Sequence, residues 1–496
     1  MAFEPEANGK IRLLNPLRQL EFRSNIEPHG LALCDISNSL SYSQLFSLVK
    51  KVARKLELTG IRTGDLVITC LPSTLDWVFT NALFHEACVT CSNHSYNPID
   101  PYLQADWVIS DQPVPDVPAS RLVLVDTAWI RLAKEQEASN ATKSYASHDD
   151  LCRLMLTSGT TGGSKAVPYS LRMLDNRLAT ISSYWSASGR EMNLMSLATV
   201  GGFLTALNSV SIGEAHYFAP AGRRVKFVNQ HQIKSLIGSP IQLAAFMKEV
   251  DESNDDIPRL EQIRSAGGGL PDALFRQLRR LFHAKVYNIY GSTEVGGVCT
   301  DLVKQQRDQS HAGYMLPTAE VEIVSEEDER QPLGVEGILR TKTSSMATGY
   351  YKNPEATSKS FKDGWFYPGD RGRLGNDGSL ALTGRDSEII NRGGTKIDPV
   401  TIDTYLMSYT GVDDAAAFGL TDNIGLEKVA AAFVAGDEFD ARRLQSDLLT
   451  KFGPTSAPSV LFKVKQIPRN EMGKVKRLQL SQEFVSAMAK RAQRQG

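Results

Sequence analysis

An α/β fold with more than one domain is what this sequence predicts, and three observations predict it. Helix-like and strand-like stretches alternate over residues 1–100 and again after residue 165, the pattern of a parallel sheet covered by helices. From Ala319 onward the texture changes to short strands and turns, as in Val321–Val324, Gly337–Arg340 and Ser379–Leu382, which reads as a β-rich module. At 496 residues the chain is also too long for a single hydrophobic core, so at least two domains are expected.

Taken in order, Ser43 to Leu58 has helical spacing, and Asp65–Cys70 is a short apolar strand after the turn Arg62-Thr63-Gly64. The most apolar region, Leu66 to Cys91, is broken by Pro72, Asp76, His85 and Glu86. It therefore reads as a strand followed by a buried helix rather than a membrane span. Cys88 and Cys91 form a CxxC with no second pair and no His pair at zinc spacing, so buried thiols in an apolar helix are expected there. Residues 111–149, rich in Pro, Ala, Ser and charge, read as an exposed connection with one strand at Leu122–Val125. Leu171 to Tyr184 reads as a helix and Met192 to Leu197 as a strand. The small-residue bend Thr199–Phe203 then leads to the apolar Leu204–Ile212; a pocket or close helix packing would explain the bend equally well.

Composition excludes some partners. With 55 basic against 56 acidic residues and no basic block, the chain has no electrostatic footprint for nucleic acid. The acidic start Met1-Ala2-Phe3-Glu4-Pro5-Glu6 lacks the regions of a signal peptide, so a soluble cytoplasmic protein without a membrane partner is expected.

The chemistry-bearing residues sit where strands end. Leu154–Leu156 is apolar, and Thr157-Ser158-Gly159-Thr160-Thr161-Gly162-Gly163-Ser164-Lys165 follows, a loop of hydroxyls and glycines closed by a cation. Such a loop holds phosphate through backbone N–H groups, hydroxyls and charge; a flexible connector would share its composition. It is not a Walker A loop, because Ala166 follows Lys165. Gly267-Gly268-Gly269 ends a second strand and allows a flat ring to approach, as a simple tight turn also would. A third strand carries Asn288 and Tyr290 and runs into Gly291-Ser292-Thr293-Glu294, which places an amide, an aromatic face, a hydroxyl and a carboxylate at the edge where open α/β sheets bind ligands. Asp370 follows the turn at Gly369 and suits the two hydroxyls of a ribose. Lys474 sits on a glycine turn at Gly473, where a solvated surface charge is the common case.

Taken together these stretches resemble the adenylate-forming superfamily of acyl-CoA synthetases, peptide-synthetase adenylation domains and beetle luciferase. The matching motifs, in the family's order, are Thr157–Lys165, Gly267–Leu270, Tyr290–Glu294, Gly349–Tyr351 with Pro354–Thr357, Gly364–Asp370, Gly384–Gly394 and Pro468–Arg477. The resemblance implies a large N-terminal domain, residues 1–384, of two α/β subdomains and a β-barrel, with a small mobile α+β domain at 385–496. It implies ATP, Mg2+ and coenzyme A, or the phosphopantetheine of an acyl carrier protein, acting on a small carboxylic acid. An acyl-adenylate forms first, and a thiol then displaces AMP.

By matching position, Thr157, Ser158, Gly159, Thr160, Thr161, Gly162 and Lys165 would hold the outer phosphates. The base would lie between Gly267, Gly268 and Gly269 and the Tyr290-Gly291-Ser292 stretch, with Asn288 at its amine. Thr293 would meet the α-phosphate, Glu294 the magnesium, and Asp370 and Arg385 the ribose. Lys474 would bridge the attacking carboxylate and the α-phosphate. Rotation about Glu388 or a neighbour would bring Arg392, Gly393 and Gly394 to the thiol channel. Thr199, Gly202, Phe203 and Ser239 would line the acyl pocket.

The chain departs from the family at Ser164-Lys165-Ala166, where Pro-Lys-Gly is usual, and at Pro368, where Thr is more frequent. Around Ala198–Gly202 it has neither the His of many acyl-CoA synthetases nor the Asp that pairs with an amino acid's ammonium, so an uncharged acyl or aryl tail is expected. A catalytically degenerate nucleotide-binding module is the alternative of another class. Retention of Glu294, Asp370, Arg385 and Lys474 together argues against it.

Overall fold

The structure, a computed structural model, describes residues 14–93, 99–139, 141–157, 165–185, 190–303, 311–385, 388, 390–392, 395–421, 427–437, 439–470 and 473–495. Their contacts group into two compact units. The first holds the described residues up to Glu320 together with Thr341–Phe366; the second holds Val321–Arg340 and those from Tyr367 on.

The first unit is built on two sheets. One orders Leu122–Leu124, Trp107–Ser110, Leu66–Cys70, Val89–Ser92, Leu151–Thr157 and Lys165–Ser170. Its neighbours run parallel except the last pair, which is antiparallel. The other runs from Leu31–Cys34 through His216–Tyr217, Glu191–Asn193, Ser235–Gly238 and Gln262–Ala266 to Lys285–Ser292, all parallel. Ser39–Ser41 flanks it at one end and Gly296–Val303 at the other, both antiparallel. Leu66–Cys70 and Val89–Ser92 are buried along their whole length, as strands covered on both faces must be.

The covering helices begin and end where local chemistry dictates. Tyr42–Thr59 starts at a reciprocal Ser41/Gln44 capping box and stops at Gly60, whose φ of 118° only glycine adopts readily. Its buried Leu45, Val49, Val52 and Leu56 form one stripe at helical spacing. Leu171–Tyr184 starts at Ser170, which accepts from the Met173 amide, and matches the helix read from the sequence. Among the described residues no helix is long and apolar enough to cross a membrane.

Four expectations change. The strand expected over Met192–Leu197 is only Glu191–Asn193, and the expected bend shrinks to the cap of the helix Val200–Ile212. There the Thr199 hydroxyl donates to the Ser196 carbonyl (2.8 Å) and accepts from the Gly202 amide (3.1 Å), so one side chain makes the whole corner. Cys88 and Cys91 do not share a helix: Ser73–His85 ends first, Ala87 takes a left-handed φ of 55°, and Cys91 lies on Val89–Ser92. Both thiols are buried, and burial pushes both well up from the usual thiol range, so they are inert packing groups. The connection at 111–149 also contains a helix, Thr127–Lys134, capped by Asp126. The strand expected to end at Tyr290 continues to Ser292 and returns at Gly296.

The second unit contains the antiparallel pair Asp370–Leu374 and Ser379–Arg385 and a three-stranded sheet. In that sheet Glu427–Ala435 pairs antiparallel with Val412–Thr421 and parallel with Val460–Lys463. Strand alternation buries both faces of it. Ala415, Ala417, Ala431 and Phe433 pack with Leu444 and Leu448 of the helix Ala441–Ser456, while Ala416, Phe418, Ala430 and Ala432 pack with Leu480 of the helix Arg477–Gln495. The runs of alanine let helices close on both sides at once.

Candidate active site

The stem of the hydroxyl-rich loop is a β-hairpin. Thr157 and Lys165 are register partners, and the Thr157 hydroxyl donates to the Lys165 carbonyl (3.2 Å). Ser158, Gly159, Thr160, Thr161 and Gly162 lie outside the described residues. Lys165 reaches 4.8 Å from the centre of the Tyr350 ring, a cation on an aromatic face. The Tyr350 hydroxyl donates to Glu294 Oε1 (2.8 Å). Burial first, and then the Glu294 charge, push the Tyr350 phenol far up, so it remains a donor. Gly349 and Thr357 of the neighbouring motif are packing partners: a Cβ at Gly349 would stand 2.6 Å from the Thr357 methyl.

Glu294 is 8% exposed and stands on a turn that several groups hold. The Ser292 hydroxyl accepts from the amides of Glu294 (3.2 Å) and Val295 (3.4 Å), and the Ala347 amide donates to the Glu294 carbonyl (2.8 Å). Gly291 admits no side chain, because a Cβ would fall 2.2 Å from the Gly296 carbonyl oxygen. Thr293 is fixed through its own carbonyl, which accepts from the Tyr169 hydroxyl (2.7 Å).

On the strand that leads into this turn and on its parallel neighbour is a set of groups that suits a purine. Ser265 and Asn288 are register partners on parallel neighbours, so they face the same way. Ser265 Oγ and Asn288 Oδ1 are both buried with no hydrogen-bond partner among the described residues. Native structures rarely leave such groups unpaired, and the exocyclic amine of adenine is a donor that fits the amide oxygen. Gly267 takes a φ of +86°, which requires glycine. At Gly268 an added Cβ would meet nothing nearer than Pro240 at 3.7 Å, and at Gly269 it would meet nothing within 4 Å. Packing inside the protein does not demand glycine at these two positions, and a flat ligand could lie against the turn. The Glu294 carboxylate is a donor of the kind magnesium takes. A single carboxylate such as Glu294, completed by phosphates and water, is the usual way this ion is held.

In the second unit Asp370 is 7% exposed and is the register partner of Arg385 across the antiparallel pair. Lys474 sits on a hairpin closed by three hydrogen bonds. The Asn470 amide donates to the Lys474 carbonyl (2.8 Å), the Lys474 amide to Asn470 Oδ1 (2.9 Å), and the Gly473 amide, at a φ of +82°, to the Asn470 carbonyl (2.8 Å). Arg469 donates to the Gly473 carbonyl (2.8 Å) and pairs with Asp414 (2.6 Å). Arg477 bonds Glu388 (2.7 Å) and Asp403 (2.6 Å). Arg392 ends the strand Ile390–Arg392; Gly393 and Gly394 lie outside the described residues.

The four residues read as an acyl pocket each have a packing role. Thr199 and Ser239 cap helices, Phe203 is fully buried, and a Cβ at Gly202 would stand 1.9 Å from the Ser196 carbonyl oxygen. Sequence reasoning missed Tyr169 and Arg177, which hold the Thr293–Glu294 turn from strand and helix. No local signal marks them, since a Tyr on an apolar strand and an Arg inside a helix are ordinary residues.

Comparisons with known proteins identify the family. The family model described as AMP-binding enzyme matches residues 21–351. An oxalate–CoA ligase from Arabidopsis thaliana is 25% identical over 485 residues, covering 90% of this chain and 94% of that one. A 4-chlorobenzoate–CoA ligase from an Arthrobacter species is 26% identical over 499 residues, covering 93% and 94%. The Bacillus subtilis o-succinylbenzoate CoA synthetase, solved with its acyl-adenylate intermediate, superposes with a TM-score of 0.81 at 21% identity over 93% of this chain and 97% of that one. The mixed α/β architecture agrees with the match over residues 21–351, and the chain belongs to the AMP-binding enzyme family.

Proposed function

We propose that the protein is an AMP-forming acid–thiol ligase. A carboxylate oxygen attacks the α-phosphate of ATP and pyrophosphate leaves; the thiol of coenzyme A then attacks the acyl carbon, and AMP leaves with the electron pair of the broken bond. The observation that carries this reading is the chain from Lys165 over Tyr350 to the Glu294 carboxylate, together with the unpaired Asn288 amide oxygen on the strand that leads to Glu294. It supplies in one unit a cation for phosphate, a carboxylate for a metal and an acceptor for a base.

The roles follow from chemistry that needs charge stabilisation and positioning rather than a protein nucleophile. Asn288 accepts from the base amine, Tyr290 stacks on the ring, and Thr293 donates to the α-phosphate. Glu294 ligates magnesium, which when bound offsets charge on the phosphates. Asp370 and Arg385 hold the ribose, and Lys474 offsets the charge of the two reacting anions. Rotation of the segment after Gly384 then exchanges Lys474 for the Arg392–Gly394 hairpin, so the two steps run in sequence. The absence of a carboxylate from Ala198–Phe203 supports an acid without an α-ammonium, with an acyl or aryl tail.

The test is pyrophosphate release from ATP and magnesium over a panel of fatty, aryl and amino acids, with and without coenzyme A, and with Lys474→Ala alongside. Release with one acid class, turning over only with coenzyme A and lost in the variant, is expected. Adenylate that forms but stalls with coenzyme A would redirect the second step to a carrier-protein phosphopantetheine. Silence over the whole panel despite ATP binding would overturn the reading.

A further inference from the structure

Arg177 lies in the helix Leu171–Tyr184 and is 2% exposed, yet among the described residues no carboxylate pairs with it. Its donors go to neutral oxygens. Nε and Nη2 reach the Ser345 carbonyl (3.2 and 3.1 Å), Nη2 also reaches the Glu294 carbonyl (3.1 Å), and Nη1 bonds the Tyr169 hydroxyl. The guanidinium also lies 4.3 Å from the centre of the Tyr169 ring. Since the Tyr169 hydroxyl donates to the Thr293 carbonyl, one buried cation holds two consecutive backbone carbonyls, directly at Glu294 and through a phenol at Thr293.

A buried charge without a counter-ion costs several kcal/mol unless its surroundings offset it. Carbonyl dipoles and the nearby Glu294 charge offset part of that cost here. The remainder leaves positive potential beside the turn expected to meet a polyphosphate, inside a low-dielectric shell where it falls off slowly. The geometry is equally specific. Rotating either carbonyl would turn the Thr293 hydroxyl or the Glu294 carboxylate away, and the planar fork of Arg177 resists both rotations at once.

We propose that Arg177, acting with Tyr169, is a positioning residue for magnesium–ATP: it aims Thr293 and Glu294 and biases the site toward the polyphosphate. This inference rests on the ATP reading given above. Its role is through the turn and not through contact with substrate, so it should touch phosphate and metal binding while leaving base recognition alone.

The experiment compares ATP and adenosine binding by titration calorimetry, with and without magnesium, for the wild type, Arg177→Met, Arg177→Lys and Tyr169→Phe, alongside thermal melts. The Arg177→Met variant is expected to bind magnesium–ATP about tenfold or more weakly, the scale of a lost charge-assisted bond, while adenosine affinity stays nearly constant. Lysine keeps the charge but not the fork, so Arg177→Lys should recover only part of the loss. Tyr169→Phe removes a single hydroxyl and provides the same selective test, with a smaller loss, should Arg177→Met fail to fold. A variant pair that binds magnesium–ATP as the wild type does overturns the inference. So does a loss in which adenosine and ATP fall together with the melting temperature, for that is a merely structural role. A wild type that binds no ATP removes the functional reading itself, a distinct result.

Discussion

Two enclosed arginines, one in each unit, stand beside residues to which the proposed reaction gives roles, and they are partnered in opposite ways. Arg177 donates to the Glu294 and Ser345 carbonyls and to a phenol, whereas Arg477 pairs with the carboxylates of Glu388 and Asp403. Burial alone would pull both guanidinium pKa values down. That is the direction at Arg177, while Asp403 and Glu388 push Arg477 up. Neutral partners hold geometry and leave the charge available to a ligand. Carboxylate partners cancel the charge and leave a firm tie between distant parts of the chain, here from residue 388 to residue 477. The first unit accordingly reads as a place prepared for an anion, and the second as a rigid mount for Lys474.

The comparison can be broken by removing each kind of tie. The largest effect is expected for Arg477→Met, which leaves two nearly buried carboxylates without a cation. Denaturant titration should show a loss of about 3–5 kcal/mol, partly recovered when Asp403→Asn is added. A loss under about 1 kcal/mol would mean the pair is no more than a surface contact.

Lys474→Ala should slow adenylate formation by about 10²–10³-fold, as loss of a charge-stabilising group does, with no fall in melting temperature. The hairpin is held by backbone hydrogen bonds and by the side chains of Asn470 and Arg469. A parallel loss of stability would show that the mount depends on Lys474 after all.

Tyr350→Phe keeps the ring under Lys165 but removes the donor to Glu294. The expected change is a several-fold weaker affinity for magnesium–ATP, on the order of 1–2 kcal/mol, read by the same calorimetry. Smaller still is Arg469→Lys. Its pair with Asp414 is about a quarter exposed on each side, at 25% and 29%, so a stability change of about 1 kcal/mol or less is expected.

The last prediction concerns pH. Burial raises the Asp398 carboxyl to about 6, even though its side chain caps the helix Pro399–Met407. Because the folded value lies above the unfolded one, its stabilising share is complete below about pH 4. That share is lost as pH rises through about 6. Asp398→Asn should flatten melting temperature against pH between those values, and an unchanged slope would remove Asp398 as the cause.

Much of this was legible along the chain because it is local. The helix Leu171–Tyr184 was readable from its periodicity, and the strands feeding Gly267 and Gly291 from their apolar runs. The stretch Thr199–Phe203 left two readings open, because a small-residue run before an apolar run looks the same whether it opens a pocket or lets a helix pack. The helix end ahead of Cys88 and Cys91 was missed because it depends on one left-handed residue, Ala87, to which composition gives no clue.

By itself the sequence determined the element order, the α/β class, the motif spacing and the chemical types at the strand ends. All of these follow from short-range propensities and from residues that must be adjacent in the chain. Only the tertiary structure decided that Lys165, Tyr350 and Glu294 converge, that Asn288 and Ser265 keep unpaired oxygens on one face, and that Arg177 holds the turn. Those facts depend on partners distant in the chain, such as Arg177 and Glu294 at 117 residues, and on which hydrogen bonds stay unmade once everything else has packed. No local pattern encodes either one.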